Sequence, residues 1–551
     1  PHSAAALGSG SAAAALADLP FRDPSLSLSA RVDDLVGRLT LAEKVSLLHQ
    51  YQPAIPRLGL KVFKTGTEAL HGIAWSCDYD DNGAVVTARG TTFPQAVGLA
   101  STWDPALIKQ VGAVVGDEAR GYNALNPTIW GLNLWAPVVN LLKDPRWGRN
   151  EEGYSEDPYL TGAISTAYGQ GMQGDDPDHL RTAPTLKHYM AYNNEVNRGT
   201  SSAQVSPRVL HEYDEPAFKV PLQAGAATGV MPAYNLVNGR PNTVSADLNK
   251  LRTWTDQPLF NVSDAGAPSN LTGSQAYYAT AAEAYAAQLK AGLDSFTQDN
   301  TDPKNIVAAV NAALDQHLIT EKDVDTAVAN ALSIRFRLGE FDPDGGPYGK
   351  ITADVINAPE HGELARKTAT EAAVLLKNSG KTLPLKANRT KKVAVVGPLS
   401  DTLYTDWYGG NLPYAVTPLA GVKAKLGAGA EVTSSDGMDR IALKDVATGQ
   451  YLTGGTDADG AVISESATTA DASASSTRST GARACSPCET WPTASISATT
   501  SRTSSMTRRS PTAGSCSRCS SWRNCRTATS RSSTWATSRT RAGSVRSARP
   551  I

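Results

Sequence analysis

Apolar residues recur at helical spacing over residues 31–49, 105–122, 276–291 and 306–338, which predicts amphipathic helices there. Between them lie short apolar runs at 132–141, 184–186, 229–234 and 258–262. Each run finishes in a polar cluster: Lys143-Asp144, Lys187-His188, Asn235 and Ser263-Asp264. Apolar strands alternating with helices predict a parallel α/β architecture. A TIM-like (β/α)8 barrel is the expectation over residues 25–345, after an N-terminal arm at 1–24. Such barrels carry their chemistry at the C-terminal ends of the strands, where these clusters fall.

Pro343-Asp344-Gly345-Gly346-Pro347 reads as a linker, assigned to 346–362. A helix is expected from 363, and Lys392-Val-Ala-Val-Val-Gly397 as a buried strand ending in a tight turn. Together they open a second α/β sandwich domain over 363–436, incomplete as read. From 437 to 470 short strands with Gly-rich turns suggest a partial, trefoil-like β-rich insert.

Composition changes this picture in one place. Of 551 residues, 41% are hydrophobic and 19% charged, enough for substantial cores, and the net charge is −1. No apolar stretch approaches the roughly 20 residues of a membrane-spanning helix. Residues 471–551, however, hold thirteen Arg and no Lys against two acids, a surplus of +11 that leaves −12 for the body. A mildly acidic body does not suggest a nucleic-acid partner. The tail lacks Leu, Phe and Tyr and contains five of the six cysteines.

One reading of the tail is an Arg/Ser-rich disordered arm that binds nucleic acid. Another is a zinc site built from Cys485-Ser-Pro-Cys488 and Cys516-Ser-Arg-Cys519, although 27 residues separate the pairs, more than usual. The third is translation in a shifted frame. With GC-rich codons, starting one base earlier lets 484–496 spell a near-copy of Ile441-Ala-Leu-Lys-Asp-Val-Ala-Thr-Gly-Gln-Tyr-Leu452. We adopt this third hypothesis, with the frame change between about 465 and 476; an unbroken reading frame in the gene there would refute it. Residues 1–17, rich in Ala, Ser and Gly, suggest a trimmed end left by removal of an export signal, and hence a secreted protein.

Asp264 precedes Ala265-Gly266, either a turn or cap or a carboxylate with open space beside it. Lys187 and His188 are adjacent donors, and strand neighbours serve one pocket only at a strand end or irregularity. In Asp144-Pro-Arg146-Trp-Gly-Arg149 the guanidinium groups suit sugar hydroxyls or a carboxylate, or make a structural ion pair. Glu68 has the acceptors for two hydroxyls, while Tyr234 and Trp75 serve as sugar walls or as core.

Thr67-Glu-Ala-Leu-His-Gly72, Trp135-Ala-Pro-Val-Val-Asn140, Asp144-Pro-Arg-Trp-Gly-Arg149, Lys187-His188, Ala233-Tyr-Asn-Leu-Val-Asn-Gly239 and Val262-Ser-Asp264 occur in this order. Over about 25–430 the chain resembles glycoside hydrolase family 3, the β-glucosidases, β-xylosidases and their relatives. The resemblance implies a retaining exo-β-glycosidase that uses no metal or organic cofactor and takes an oligosaccharide or an aryl or alkyl β-glycoside. It implies that Asp264 is the nucleophile, ringed by Glu68, Arg149, Lys187, His188, Arg198 and Tyr234. Nearby Lys187 and Arg149 charges are expected to hold the Asp264 pKa down. The acid/base, in multi-domain relatives a Glu of the second domain, stays unassigned, which leaves a sugar-binding pseudoenzyme as the alternative. Lys187-His-Tyr-Met-Ala-Tyr-Asn193 lacks the His loop of the β-N-acetylhexosaminidase branch. By the same analogy, Glu rather than Asp at position 68 favours xyloside over glucoside.

Overall fold

The computed structural model describes residues 18–79, 85–298 and 301–437, with Leu16, the strands and turn between 439 and 467, 475–478 and 535–539. The cysteine pairs of the tail and the 484–496 segment lie outside the described residues, as do most of the N-terminal arm's. Two compact units are present: Pro1–Gly380 with Tyr404–Ala415, and Lys381–Leu403 with Val416–Ile551.

The first unit is built on a curled, mainly parallel sheet. Its strands are β1 (Tyr51–Gln52), β2 (Phe63–Thr67), β3 (Asn133–Leu134), β4 (Ala183–Tyr189) and β5 (Gly229–Pro232), hydrogen-bonded in that order. β2, β3, β4 and β5 run parallel. The ladder continues beyond β5, where Phe260 N–H donates to Thr228 O at 2.8 Å and Val262 bridges Ser295 in parallel. It returns to its start: His49 bridges Phe296, and Thr65 N–H donates to Gln50 O at 3.1 Å.

One pairing differs from the all-parallel expectation. β1 and β2 are antiparallel, with Tyr51 opposite Lys64. Their connection, a Pro56–Leu58 turn closed by Gly59 at φ 66°, is too short for the crossover that parallel neighbours need.

The longer helices of this unit are α1 (Leu28–Arg38), α2 (Pro105–Leu125), α3 (Pro158–Gln173), α4 (Pro216–Gln223), α5 (Ala281–Ala291), α6 (Lys304–Asp315), α7 (Glu321–Arg337) and α8 (Pro359–Glu371). Two expected long helices are each divided. The 31–49 segment stops at Thr40, whose backbone N–H donates to Glu43 at 2.8 Å while Glu43 N–H donates back to its hydroxyl at 3.3 Å. The 306–338 segment breaks at Thr320, whose N–H donates to Asp323 at 2.7 Å. Both are Thr-x-x-acid starts that satisfy the free N–H groups of a new helix. No helix among the described residues is long and apolar enough to cross a membrane.

The apolar interior lies inside and around this sheet. Trp135, Phe260, Val262 and Tyr168 are buried in one cluster, and Phe21, Leu48, Phe296 and Phe336 in a second. Gly66 on β2 makes room for the first. At φ 96° a Cβ there would stand 2.7 Å from the Trp135 ring. Gly66→Ala is therefore expected to cost about 1–3 kcal/mol, read from the urea midpoint.

The second unit holds β6 (Lys392–Val396) and β7 (Glu431–Ser435), a two-stranded parallel sheet, and α9 (Pro418–Leu426). An antiparallel sheet follows, built from β8 (Asp439–Asp445), β9 (Tyr451–Asp457), β10 (Gly460–Ala467), β11 (Ser475–Arg478) and β12 (Trp535–Arg539).

Candidate active site

Five successive staves of the sheet end in polar side chains that converge. Glu68 follows β2, Asn140 follows the 133–139 run, and Lys187 and His188 end β4. Tyr234 follows β5, and Asp264 follows the 260–262 run. Lys187 and His188 both serve the site because the β4–β5 register slips between Lys187 and Tyr189.

Asp264 sits at the centre and is 8% exposed. One carboxylate oxygen, Oδ1, accepts the Ala265 N–H at 2.8 Å. The other, Oδ2, is buried with no hydrogen-bond partner among the described residues, 3.6 Å from His188 Nε2. An unpaired buried carboxylate oxygen is costly, and costs of this kind concentrate where a ligand supplies the missing contact. Burial pushes the Asp264 pKa up, and Arg149, Lys187, Tyr234 and the Ala265 N–H only partly offset it. This corrects the expectation of a depressed value: the two cations are present, but each is already committed to another carboxylate.

Lys187 Nζ donates to Glu68 Oε2 at 2.7 Å, and both side chains are almost fully buried. Burial lifts the Glu68 carboxyl to about 7 against the Lys187 charge, with Glu152 and Asp264 adding to the rise. Arg149 forms a two-point pair with Glu152, at 2.5 Å from Nε and 2.6 Å from Nη2. Its remaining contacts go to His188 Nε2 at 3.1 Å, the Tyr408 hydroxyl at 3.0 Å and the Tyr192 hydroxyl at 3.3 Å.

His188 therefore accepts at Nε2 and donates from Nδ1 to Asn140 Oδ1 at 2.9 Å. That is a neutral imidazole, consistent with a pKa driven well below its ordinary value by burial and then by Arg149 and Lys187. It orients but does not deliver a proton. Asn140 grips the same residue twice more, taking its backbone N–H and donating to its carbonyl at 2.8 Å.

Tyr234 commits its hydroxyl proton to the Ala265 carbonyl at 2.8 Å, beside the Asp264 carboxylate. The Arg198 guanidinium lies 4.4 Å over the Tyr234 ring and donates to Glu195 at 2.9 Å. Its side chain is 45% exposed, so it stands at the rim. Trp75 stacks on Tyr408 with ring centroids 5.9 Å apart. Thus Glu68, Arg149, Lys187, His188, Arg198 and Tyr234 all gather around Asp264. Arg146 does not: it pairs with Asp144 at 2.6 Å with its side chain 87% exposed.

Sequence reasoning missed Glu152, Tyr192, Glu195, Asn140's role and Tyr408. Glu152 had a signal, an acid three residues after Arg149. Tyr408 had none, since it lies more than two hundred residues downstream of its partners.

Residues 36–334 match the family description "Glycosyl hydrolase family 3 N terminal domain". The chain belongs to glycosyl hydrolase family 3. Residues 373–506 match the "Glycosyl hydrolase family 3 C-terminal domain". Among relatives of this family 3 chain, "Probable beta-D-xylosidase 7" of Arabidopsis thaliana is 37% identical over 468 residues, covering 80% of this chain and 59% of the relative. A solved family 3 exo-beta-xylosidase (XlnD), in complex with a xylobiose aziridine activity-based probe, superposes with TM-score 0.68 at 29% identity. It covers 76% of this chain and 54% of that one. Beta-glucosidase 3B from Thermotoga neapolitana, in complex with α-D-glucose, gives TM-score 0.60 at 26% identity, over 73% and 55% of the two chains. The chain therefore spans little more than half the length of these relatives.

Proposed function

We propose that this chain is a retaining exo-β-glycosidase that releases terminal β-linked xylose, with β-glucosides second, from oligosaccharides or aryl and alkyl glycosides. The curled sheet is read as a β/α barrel and the protein as secreted. The observation that carries the reading is the Oδ2 of Asp264, unpaired among the described residues and faced by His188, Arg149, Lys187 and Tyr234. In this scheme Oδ2 attacks the anomeric carbon as the glycosidic bond breaks, and the covalent sugar is then released to water. Glu68 and Lys187 hold ring hydroxyls, one accepting and one donating. Arg149 and Asn140 fix His188 so that its neutral ring packs beside the sugar. Xylose is favoured by Glu68 and by the xylosidase names of the relatives.

A second reading has its own support. The described carboxylates around Asp264 are all engaged: Glu68 by Lys187, Glu152 by Arg149, Glu195 by Tyr192 and Arg198. None of them is poised as the acid, which favours a sugar-binding protein if no acid comes from elsewhere. A 2,4-dinitrophenyl 2-fluoro-β-xyloside separates the two, because its leaving group needs no protonation. The enzyme reading expects one equivalent of phenol and a label on the Asp264 peptide. Sugar binding with no phenol release would establish the binding protein.

The Glu68 carboxyl makes a pH prediction. Below about 7 it is protonated, so it loses an acceptor site and its charge against Lys187. Xylose affinity should fall up to about tenfold per pH unit below that point, measured by calorimetry, and Glu68→Gln should flatten the curve. The stability linkage has the opposite sense. The folded state holds this proton more tightly than the unfolded chain, so stability falls as pH rises from about 4.5 to about 7.

A further inference from the structure

Arg198 is a long, flexible cation at the rim of the site, with its guanidinium 4.4 Å over the Tyr234 ring. Among the described residues its one hydrogen-bond acceptor is Glu195 Oε2, at 2.9 Å. The remaining N–H groups of its planar fork are left for a ligand hydroxyl. An exposed Glu–Arg pair three residues apart ordinarily contributes little. The other oxygen of this carboxylate sets the pair apart.

Glu195 Oε1 accepts a hydrogen bond from the Tyr192 hydroxyl, and Tyr192 is buried. A phenol has one proton to give, so the Tyr192 oxygen serves as acceptor for Arg149 Nη1–H at 3.3 Å. Donors and acceptors thus alternate without conflict from Glu152 through Arg149, Tyr192 and Glu195 to Arg198. The last member lies on Tyr234, whose own hydroxyl is tied to the Ala265 carbonyl beside Asp264. Glu195 is the link at which the buried part of this chain of contacts passes to the rim.

The backbone is shaped to hold that link. Gly148, next to Arg149, leaves the space in which the Glu195 stem lies: a Cβ there would stand 3.0 Å from Glu195 Cγ and 3.2 Å from its Cβ. Within the loop that carries Tyr192, Glu195 and Arg198, Ala191, Asn193 and Asn197 adopt positive φ of 52°, 127° and 54°. Strain of this kind persists only where the surroundings over-determine it, and it collects at functional sites. Here Asn235 Nδ2 donates to Ala191 O at 3.2 Å, and Asn197 O accepts from the N–H groups of Thr200 and Ser201 at 2.9 and 2.8 Å.

We propose that Glu195 is a positioning residue for sugar recognition: anchored by Tyr192 through one oxygen, it holds Arg198 on Tyr234 with the other, so that the guanidinium meets a sugar hydroxyl in one fixed orientation. This rests on the glycosidase reading for its ligand, and the hold on Arg198 is tested without sugar.

Glu195→Gln keeps the stem in the space beside Gly148, but only one of its two head atoms accepts, so Tyr192 or Arg198 loses its partner. With 4-nitrophenyl β-xyloside, KM should rise about threefold to tenfold, the scale of having to order one long side chain on binding. The calorimetric Kd for xylose should rise with it, and kcat should stay within about twofold, the signature of lost uniform binding. Arg198→Ala should raise KM at least as far, and adding Glu195→Gln to it should cost nothing more, whereas a Glu195 that acted independently of Arg198 would multiply the two losses. A crystal structure of the Glu195→Gln protein without sugar should show the guanidinium off the Tyr234 ring.

A Gln variant with wild-type KM, losses that multiply in the double variant, or an unmoved Arg198 in the crystal would each overturn the proposal. If the wild type binds no xylose, the glycosidase reading falls, and the sugar-free crystal structure by itself decides whether Glu195 holds Arg198.

Discussion

Asp264→Asn should lower kcat/KM for an aryl β-xyloside by about 10⁴-fold or more, the scale seen when a covalent nucleophile is removed. The variant keeps the shape of the site. Its Oδ1 still accepts the Ala265 N–H, and His188 remains fixed by Asn140 and Arg149. What disappears is the charge and the lone pairs of Oδ2, the Asp264 oxygen without a partner among the described residues. Initial rates measure the loss, and intact mass with the 2-fluoro xyloside shows whether the covalent adduct forms. Undiminished hydrolysis by the variant, or a label on another peptide, would remove Asp264 from the mechanism. Because Glu68 and Lys187 are unchanged in this variant, xylose affinity should change far less than turnover, and that split distinguishes a lost nucleophile from a damaged pocket.

The second large effect is on stability. Arg149 is enclosed, and its charge is balanced at closest range by Glu152 in a two-point contact. Glu152→Ala leaves the guanidinium against neutral acceptors only, the hydroxyls of Tyr192 and Tyr408 and the His188 ring. Breaking one side of a buried ion pair costs about 3–5 kcal/mol, so a clear drop in the urea midpoint is expected. Glu152→Gln retains an acceptor and should lose less. Replacing both members by Met and Leu should recover stability while leaving the site without its bridge, because apolar side chains of similar volume often match a buried pair. A Glu152→Ala protein as stable as the wild type would mean that solvent reaches Arg149.

Much of this site was legible in the sequence for a physical reason. An apolar run that ends abruptly in Lys187-His188 or Ser263-Asp264 marks the point where a buried strand meets the open end of the sheet. The helix breaks were legible too, in Thr40-x-x-Glu43 and Thr320-x-x-Asp323, but hydrophobic spacing continues across both and hid them. Three things were not legible. The direction of the Asp264 pKa depends on how deeply the carboxylate is enclosed, which residue types do not state. The place of Tyr408 beside Arg149 and Lys187 depends on a long-range return of the chain, and Thr405-Asp406-Trp407-Tyr408-Gly409-Gly410 reads locally as a loop. The antiparallel β1–β2 pair came from a short connection whose direction periodicity does not encode.

Residues 404–415 fall within the stretch that matches the family's C-terminal domain, yet they fold as part of the first compact unit. A piece of the protein cut at residue 345 or 372 would lose Tyr408 from beside Arg149 and Lys187, and a chimera carrying a relative's second half would take that relative's residue there. Monosaccharide preference in such hybrids should follow both donors, so exchanging halves between relatives is itself a way to retune selectivity.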